Sequence, residues 1–153
     1  MRPASRRARA ILGVLAASMA LVVLAGPVAA ASPQPITFTI HMHWEVGTGT
    51  FEVTSGSDLI CSSGTVVDDR LIFGGYQSGR GVQIQVRKTF TCDDGSFALK
   101  MQVHANPDGT ETFSWVILGG NGAYARLNGS GDGTTVPGAP GYNTAYFRGF
   151  LIG

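Results

Sequence analysis

Apolar and polar residues alternate along much of the chain after residue 35, with the period of two that is typical of β-strands with one buried face. The longest run covers 36–46, where every even position is apolar and every odd position is polar. Shorter alternating or apolar runs follow it at 51–53, 59–67, 82–92, 97–103, 113–117 and 142–152. Together with the glycine-rich segment that follows residue 119, this pattern predicts seven or eight strands and no helix.

Residues that favour turns separate these runs. Asp-Asp-Gly at 93–95 and Asn-Pro-Asp-Gly at 106–109 each lie between two alternating segments, as expected of hairpins. Gly-Gly-Asn-Gly at 119–122 predicts another tight turn, followed by a strand from 123 to 131 in which small residues or glycine take most alternate places. Proline and glycine predict a longer irregular loop at 133–141. Short strands joined by hairpins favour an antiparallel barrel or a sandwich, and spacing alone does not separate the two.

The first 31 residues have the composition of a secretory signal peptide. Four arginines precede an uncharged apolar run at 10–25, and small residues follow at 28–31. This order predicts cleavage after Ala30 or Ala31, export of the protein, and one domain over 32–153. An uncleaved membrane anchor is the alternative, and the shortness of the apolar run disfavours it.

The charge of the mature chain differs from that of the full chain. Without the four leader arginines, seven basic residues stand against ten acidic ones, which gives a net charge of about −3. An acidic balance with no basic cluster argues against nucleic acid or an anionic membrane as the partner. No later apolar run is long enough to cross a bilayer, so we expect no membrane span in the mature form.

Cys61 and Cys92 are the two cysteines of the chain, and both lie in the part that we expect to be exported. An even pair in an oxidising compartment predicts one disulfide, which would stabilise the fold by roughly 3–4 kcal/mol. The alternative is a redox or nucleophilic thiol. Neither cysteine lies in a Cys-x-x-Cys motif or beside a histidine, so the structural disulfide is favoured.

Three segments resemble bacterial secreted domains of the allene oxide cyclase-like family, which is related to the dirigent-like barrels. They are Ser-Gly-Thr-Val at 63–66, Lys-Thr-Phe-Thr-Cys-Asp-Asp-Gly at 88–95, and the run from Trp115 to Gly133 that contains Gly-Gly-Asn-Gly-Ala-Tyr-Ala. The resemblance implies a closed antiparallel β-barrel of eight strands over the whole mature chain. It also implies a homotrimer, and a lumen in which family members rearrange a reactive lipid or steer the coupling of phenolic radicals.

The catalytic residues of the family do not carry over to this sequence. The cyclases have acidic and amide residues on the first strand, whereas the apolar face of this predicted strand offers Ile40, Met42 and Trp44. Glu45 falls on the opposite face, and Cys61 is expected to be oxidised. The resemblance therefore predicts the fold without assigning the reaction.

Four residues are candidates for lining a ligand site in the lumen: Trp44, Lys88, Trp115 and Tyr124. The alternation places Lys88 between Val86 and Phe90 on the apolar face, where a lysine could act as a base or anchor a carboxylate. The alternative, which the sequence favours, is that Lys88 marks a bulge or reaches the barrel rim. Aromatic walls suit a flat or lipid-like ligand, although the same three rings are also ordinary core residues.

His41, His43 and Glu45 share one face of the first predicted strand at intervals of about 7 Å. Three such ligands could hold zinc, but the neighbouring threonines favour an exposed outer face that binds no metal. We therefore expect no metal and no cofactor, and we expect both histidines to be exposed.

Two classes of function are compatible with these features. The first is a secreted, non-catalytic module that binds a small apolar or aromatic ligand or a partner. The second is an isomerase, cyclase or dirigent-type protein that holds a reactive ligand in the lumen. The predicted inward face carries no sharply placed acid, base or nucleophile, which favours the first class and leaves enzyme activity open. An open lumen with a buried polar group would favour the second class, and a filled lumen would favour a structural role.

Overall fold

The computed structural model describes residues 31–77 and 81–153. The predicted signal peptide at 1–31 falls almost entirely outside the described residues. The described part contains eight antiparallel strands that close into one barrel in chain order. The strands are β1 (Gln34–His43), β2 (Thr48–Gly56), β3 (Ser63–Gln77), β4 (Gly81–Cys92), β5 (Gly95–Ala105), β6 (Glu111–Gly122), β7 (Asn128–Pro137) and β8 (Tyr142–Ile152). The predicted eight-stranded barrel is confirmed, and the sandwich alternative is excluded.

Closure of the barrel comes from β1, which pairs with both β2 and β8. Each of the other strands pairs with its neighbours in sequence, so the wall is a continuous series of hairpins. Alternate residues along each strand point into the lumen, as the period of two requires. The inward residues of β1, Ile36, Phe38, Ile40 and Met42, are all buried.

Aromatic rings fill the lumen from its middle to the end at which β4 ends and β5 begins. Phe90 stacks on Phe97 with 4.8 Å between ring centroids, and Phe38 stacks on Phe147 at 4.4 Å. Trp115 packs edge-on against Phe38 at 5.8 Å. Rings of this size bury large apolar areas in a barrel of eight strands, which has just enough room for side chains.

Glycines on the inward face of β7 make room for these rings. A Cβ atom at Gly131 would approach Trp115 Cε2 to 2.8 Å, closer than carbon atoms pack. Glycine is therefore required at this position because the backbone of β8 at Arg148 and Gly149, together with the Trp115 ring from β6, occupies the space of a side chain.

The boundaries of the glycine-rich region differ from the prediction. Residues 119–122 form the end of β6 instead of a turn, and β7 begins at Asn128 instead of 123. The connection at 123–127 buries Tyr124 and Leu127, and these buried side chains hold it in turns across the end of the barrel. The predicted irregular loop at 133–141 shortens to 138–141, because β7 continues to Pro137.

The first predicted strand is shorter than its alternation indicates. β1 ends at His43, and the amides of Val46 and Gly47 both donate to the His43 carbonyl oxygen, at 3.2 and 2.9 Å. Trp44 is therefore in a turn and is 57% exposed, so the prediction that it extends the buried face is wrong. Gly47, with a φ of +69°, reverses the chain here, and alternation within a turn does not define a face.

β3 begins later and ends later than predicted. The apolar run at 59–67 splits into a connection at 57–62, in which Ile60 is buried, and a strand that starts at Ser63. β3 then continues to Gln77 and pairs with β4 along its length, with irregularities in register after Asp68 and after Phe73. Ser62, Ser63 and Gly64 interrupt the apolar residues of 59–67, and the strand begins at this interruption.

Candidate functional site

One end of the barrel is covered by its connections, and we call it the closed end. The connections 57–62 and 123–127 lie there, and they bury Ile60, Tyr124 and Leu127 against the aromatic core. These side chains fill the lumen down to the ends of the strands. The lumen at the closed end is therefore filled by side chains.

At the opposite end, which we call the open end, the described connections are short turns at 44–47, 106–110 and 138–141. A cavity of about 420 Å³, here called the cup, opens between them. Its volume lies in the range of small-molecule sites. Most of its wall is apolar, with Val86, Met101, Val103 and Ala145 inside.

Aromatic and aliphatic side chains surround the mouth of the cup. Trp44, Leu71, Phe73 and Tyr142 line it and are each about half exposed or more. Exposed apolar groups at the entrance of an apolar cavity are typical of a site that accepts an apolar ligand.

Lys88 lies in the wall of the cup. Its Nζ atom donates to Asp68 Oδ1 at 2.5 Å, and the two side chains are only 8% and 17% exposed. β4 pairs with β5 without a shift in register through this position, so Lys88 keeps its inward place between Val86 and Phe90. A bulge does lie at this level of the barrel, but it is opposite Lys88, in β3 after Asp68, and not in β4 itself.

Asp68 reaches the same cavity because β3 changes register beside it. Val66 and Asp68 point inward opposite Phe90 and Lys88, and after the irregularity it is Leu71 that takes the next inward place. A bulge of this kind shifts the alternation by one residue. The anionic partner that a buried lysine requires is thus supplied from the neighbouring strand.

Sequence reasoning missed Asp68, Leu71, Phe73, Glu111 and Tyr142 as residues of this site. A signal was present for the first two. Two consecutive aspartates stand between the apolar pairs 66–67 and 71–72, which interrupts the period of two as a bulge does. The others belong to strand ends, whose neighbours depend on how the barrel closes.

The four residues predicted to line a lumen site do not come together. Trp44 and Lys88 line the cup. Trp115 is buried in the aromatic core, where its Nε1 donates to the carbonyl oxygens of Asp132 and Arg148, both at 3.2 Å. Tyr124 lies at the closed end, beyond the reach of any ligand in the cup.

Tyr124 has a structural role at the closed end. Its hydroxyl donates to Asp94 Oδ1 at 2.5 Å, and its ring packs against Phe97 at 5.4 Å. Burial, together with this hydrogen bond, raises the pKa of Tyr124 to about 12. The folded protein therefore stabilises the protonated, uncharged form of the Tyr124 side chain.

The predicted disulfide is also at the closed end. Cys61 and Cys92 lie at disulfide distance, with 6.1 Å between their Cα atoms, and they link the connection 57–62 to the end of β4. This pairing confirms the structural interpretation of the two cysteines. It ties down the connection that carries the buried Ile60.

The histidines of β1 do not assemble a metal site. His41 lies on the outer wall, 4.0 Å from Glu52, and is exposed as expected. His43 is half-buried instead of exposed, because its ring packs against Tyr142, its partner across the β1–β8 pair. Among residues 31–77 and 81–153, no three His, Cys, Asp or Glu side chains lie close enough to hold a metal ion. The arrangement thus lends no support to zinc bound by His41, His43 and Glu45.

The described part of the chain also contains no helix long and apolar enough to cross a membrane.

Comparison of this chain with protein-family models, with curated proteins and with solved structures finds no match. The resemblance to the allene oxide cyclase-like family therefore rests on the sequence segments alone and stays a prediction. The function has to be argued from the cup and the residues that line it.

Proposed function

We propose that this protein is a secreted, non-catalytic barrel that binds a small, largely apolar ligand in the cup. The observation that carries the proposal is the contrast within one lumen: aromatic rings fill it up to Phe90, and a cavity of about 420 Å³ with apolar walls remains above Lys88. Export is supported by the composition of residues 1–31 and by the disulfide, because such bonds persist in oxidising compartments.

The proposal can be tested by filling the cup. Ala145→Leu adds three carbon atoms to a buried residue of the cup wall. Thr144→Leu, on the outward face of the same strand, is the matched control. We expect the neutral fluorescent probe N-phenyl-1-naphthylamine to bind the unmodified protein and Thr144→Leu, and to bind Ala145→Leu at least about tenfold more weakly. Circular dichroism checks that all three fold. Equal binding by the two variants would place the probe elsewhere and contradict the proposal.

A catalyst of the isomerase, cyclase or dirigent type is the second candidate. The buried pair of Lys88 and Asp68 favours it, because an open lumen with a buried polar group is what such a protein needs. Against it, the two groups contact each other at 2.5 Å, so neither is a free acid or base. Native mass spectrometry of protein from culture fluid, followed by extraction, separates the candidates. A retained compound returned unchanged after incubation supports binding, and conversion of the compound supports catalysis.

We also propose that the protein is a homotrimer, as the family resemblance implies. Val116 on β6 and Phe150 on β8 are both exposed, and both pair with Ser130 of β7, so they lie close together on the outer wall. An apolar outer patch supports burial against another copy. Light scattering that gives the mass of one mature chain would contradict the trimer.

A further inference from the structure

The charged side chains that line the cup limit the charge that its ligand can carry. Lys88 and Asp68 form an ion pair that is nearly buried, so their charges offset each other locally. The remaining charged residue in the described lining is Glu111, which is half-buried at the mouth. The lining therefore carries one positive and two negative charges.

A carboxylate ligand is disfavoured by this arrangement. An anion that approached Lys88 would also approach Asp68, whose carboxylate oxygen lies 2.5 Å from the lysine nitrogen. Two like charges in an apolar cavity repel each other strongly, and each has to lose its water. The role of a carboxylate anchor, which the sequence suggests for a lone lysine, does not fit a lysine that is already paired.

An uncharged oxygen meets no such repulsion. A lysine ammonium group has three N–H donors, and among the described residues Asp68 is the side chain that accepts from it. Two donors are thus left for a group in the cup. A carbonyl or hydroxyl oxygen can accept one of them without separating the ion pair.

We infer that the cup selects an uncharged, mostly apolar ligand that carries a hydrogen-bond-accepting oxygen, and that Lys88 Nζ donates to this oxygen. This inference rests on the proposed function and narrows it to a class of ligand. The apolar wall of Val86, Met101 and Val103 contacts the hydrocarbon part, and the ion pair binds the polar group.

The test uses two probes of equal chain length, 2-decanone and decanoate, at a pH where decanoate is ionised. Each probe displaces N-phenyl-1-naphthylamine from the mature, disulfide-bonded protein. We expect 2-decanone to displace it at a concentration at least about tenfold lower than decanoate, because decanoate has to lose its water and meets the like charge of Asp68 beside Lys88.

Two variants identify the groups responsible. Asp68→Asn keeps the shape of the side chain and removes its charge, so decanoate should gain at least about tenfold in affinity while 2-decanone changes little. Lys88→Met removes the donor and should weaken 2-decanone about tenfold. Lys100→Met, on the outer wall of β5, is the matched control and should leave both affinities unchanged. If Lys88→Met fails to fold, Asp68→Asn still tests the inference.

The outcomes separate this inference from the proposed function. Decanoate that binds the unmodified protein as tightly as 2-decanone, or an Asp68→Asn variant with no gain for decanoate, would overturn the inference and leave the proposed function standing. Failure of the naphthylamine probe and of 2-decanone to bind at all would overturn the proposed function itself.

Discussion

The two ends of this barrel share the same eight strands and differ in what covers them. At the closed end, two connections pack Ile60, Tyr124 and Leu127 against the aromatic core. The disulfide fixes the first of these connections, 57–62, to the end of β4. At the open end the described turns add exposed side chains, and the inward residues of the strands are smaller. The lumen of a small barrel is thus filled or left open by its connections as much as by its strands.

Each end also contains one polar pair, and the two pairs have different consequences. Tyr124 and Asp94 join a buried, neutral phenol to a carboxylate on an exposed residue, so this pair places no charged group in the core. Lys88 and Asp68 are both charged and line a cavity. A buried ion pair contributes little net stability, which is consistent with the role in ligand binding that we propose for this pair.

The largest expected effect on the free energy of unfolding is from removal of a buried ring near the closed end. Phe90→Ala removes a fully buried ring that contacts Phe97 and Phe51, and it should lower the free energy of unfolding by about 3–5 kcal/mol. Phe73→Ala removes the same ring at the mouth of the cup, where the residue is 66% exposed, and should cost less than about 1 kcal/mol. Urea denaturation measures both. Equal losses would show that the two ends are packed alike.

Removal of the disulfide should have the next largest effect. The double substitution Cys61→Ala with Cys92→Ala frees a loop closed over 31 residues and should lower the free energy of unfolding by roughly 3–4 kcal/mol. Binding in the cup should persist, because the bond lies at the other end of the barrel. Thiol labelling of the denatured, unreduced protein should detect no free cysteine. Labelling of both would contradict the bond.

The phenol at the closed end predicts a dependence of stability on alkaline pH. The pKa of Tyr124 is raised from its ordinary value of 10.0 to about 12 in the folded protein, so between these values the unfolded chain loses a proton that the folded chain keeps. The contribution of this group is complete below pH 10 and is lost as the pH rises toward 12.

Tyr124→Phe should therefore remove the part of the fall in stability above pH 10 that ionisation of Tyr124 causes. At neutral pH it should lower the free energy of unfolding by about 1–2 kcal/mol, because the hydrogen bond to Asp94 is lost. Urea denaturation at a series of pH values measures both effects. If the free energy of unfolding of Tyr124→Phe falls above pH 10 as much as that of the unmodified protein, groups other than Tyr124 cause the fall.

The smallest effect on stability is expected for a tryptophan at the open end. Trp44→Ala should change the free energy of unfolding by less than about 1 kcal/mol, because the side chain is mostly exposed. Trp115→Ala is the comparison in the aromatic core and should cost about 3–5 kcal/mol. Iodide should quench the fluorescence of Trp44 and leave that of Trp115 largely unchanged. A loss of several kcal/mol for Trp44→Ala would mean that the turn at 44–47 is packed into the core.

Much of this fold could be predicted from the sequence because its main determinants are local. The period of two at 36–43, 82–92 and 97–103 identifies strands, and it places Lys88 on the inward face, where the structure also has it. The cysteine pair was predictable from count and expected compartment alone.

The candidate site depended on the tertiary structure, for a physical reason. Asp68 joins Lys88 because a change of register on β3 alters which residues point inward, and a shift by one residue moves every later side chain to the other face. Trp44 leaves the core because the chain turns at Gly47, which alternation does not detect. The lumen is filled at the end where the connections 57–62 and 123–127 pack across it, and the cup lies at the end where the described connections are short turns. The sequence by itself determined the existence of the alternating strands and the cysteine pair. Only the closing of the barrel decided the bounds of β3 and β7, which end the connections cover, and which charges meet in the cup.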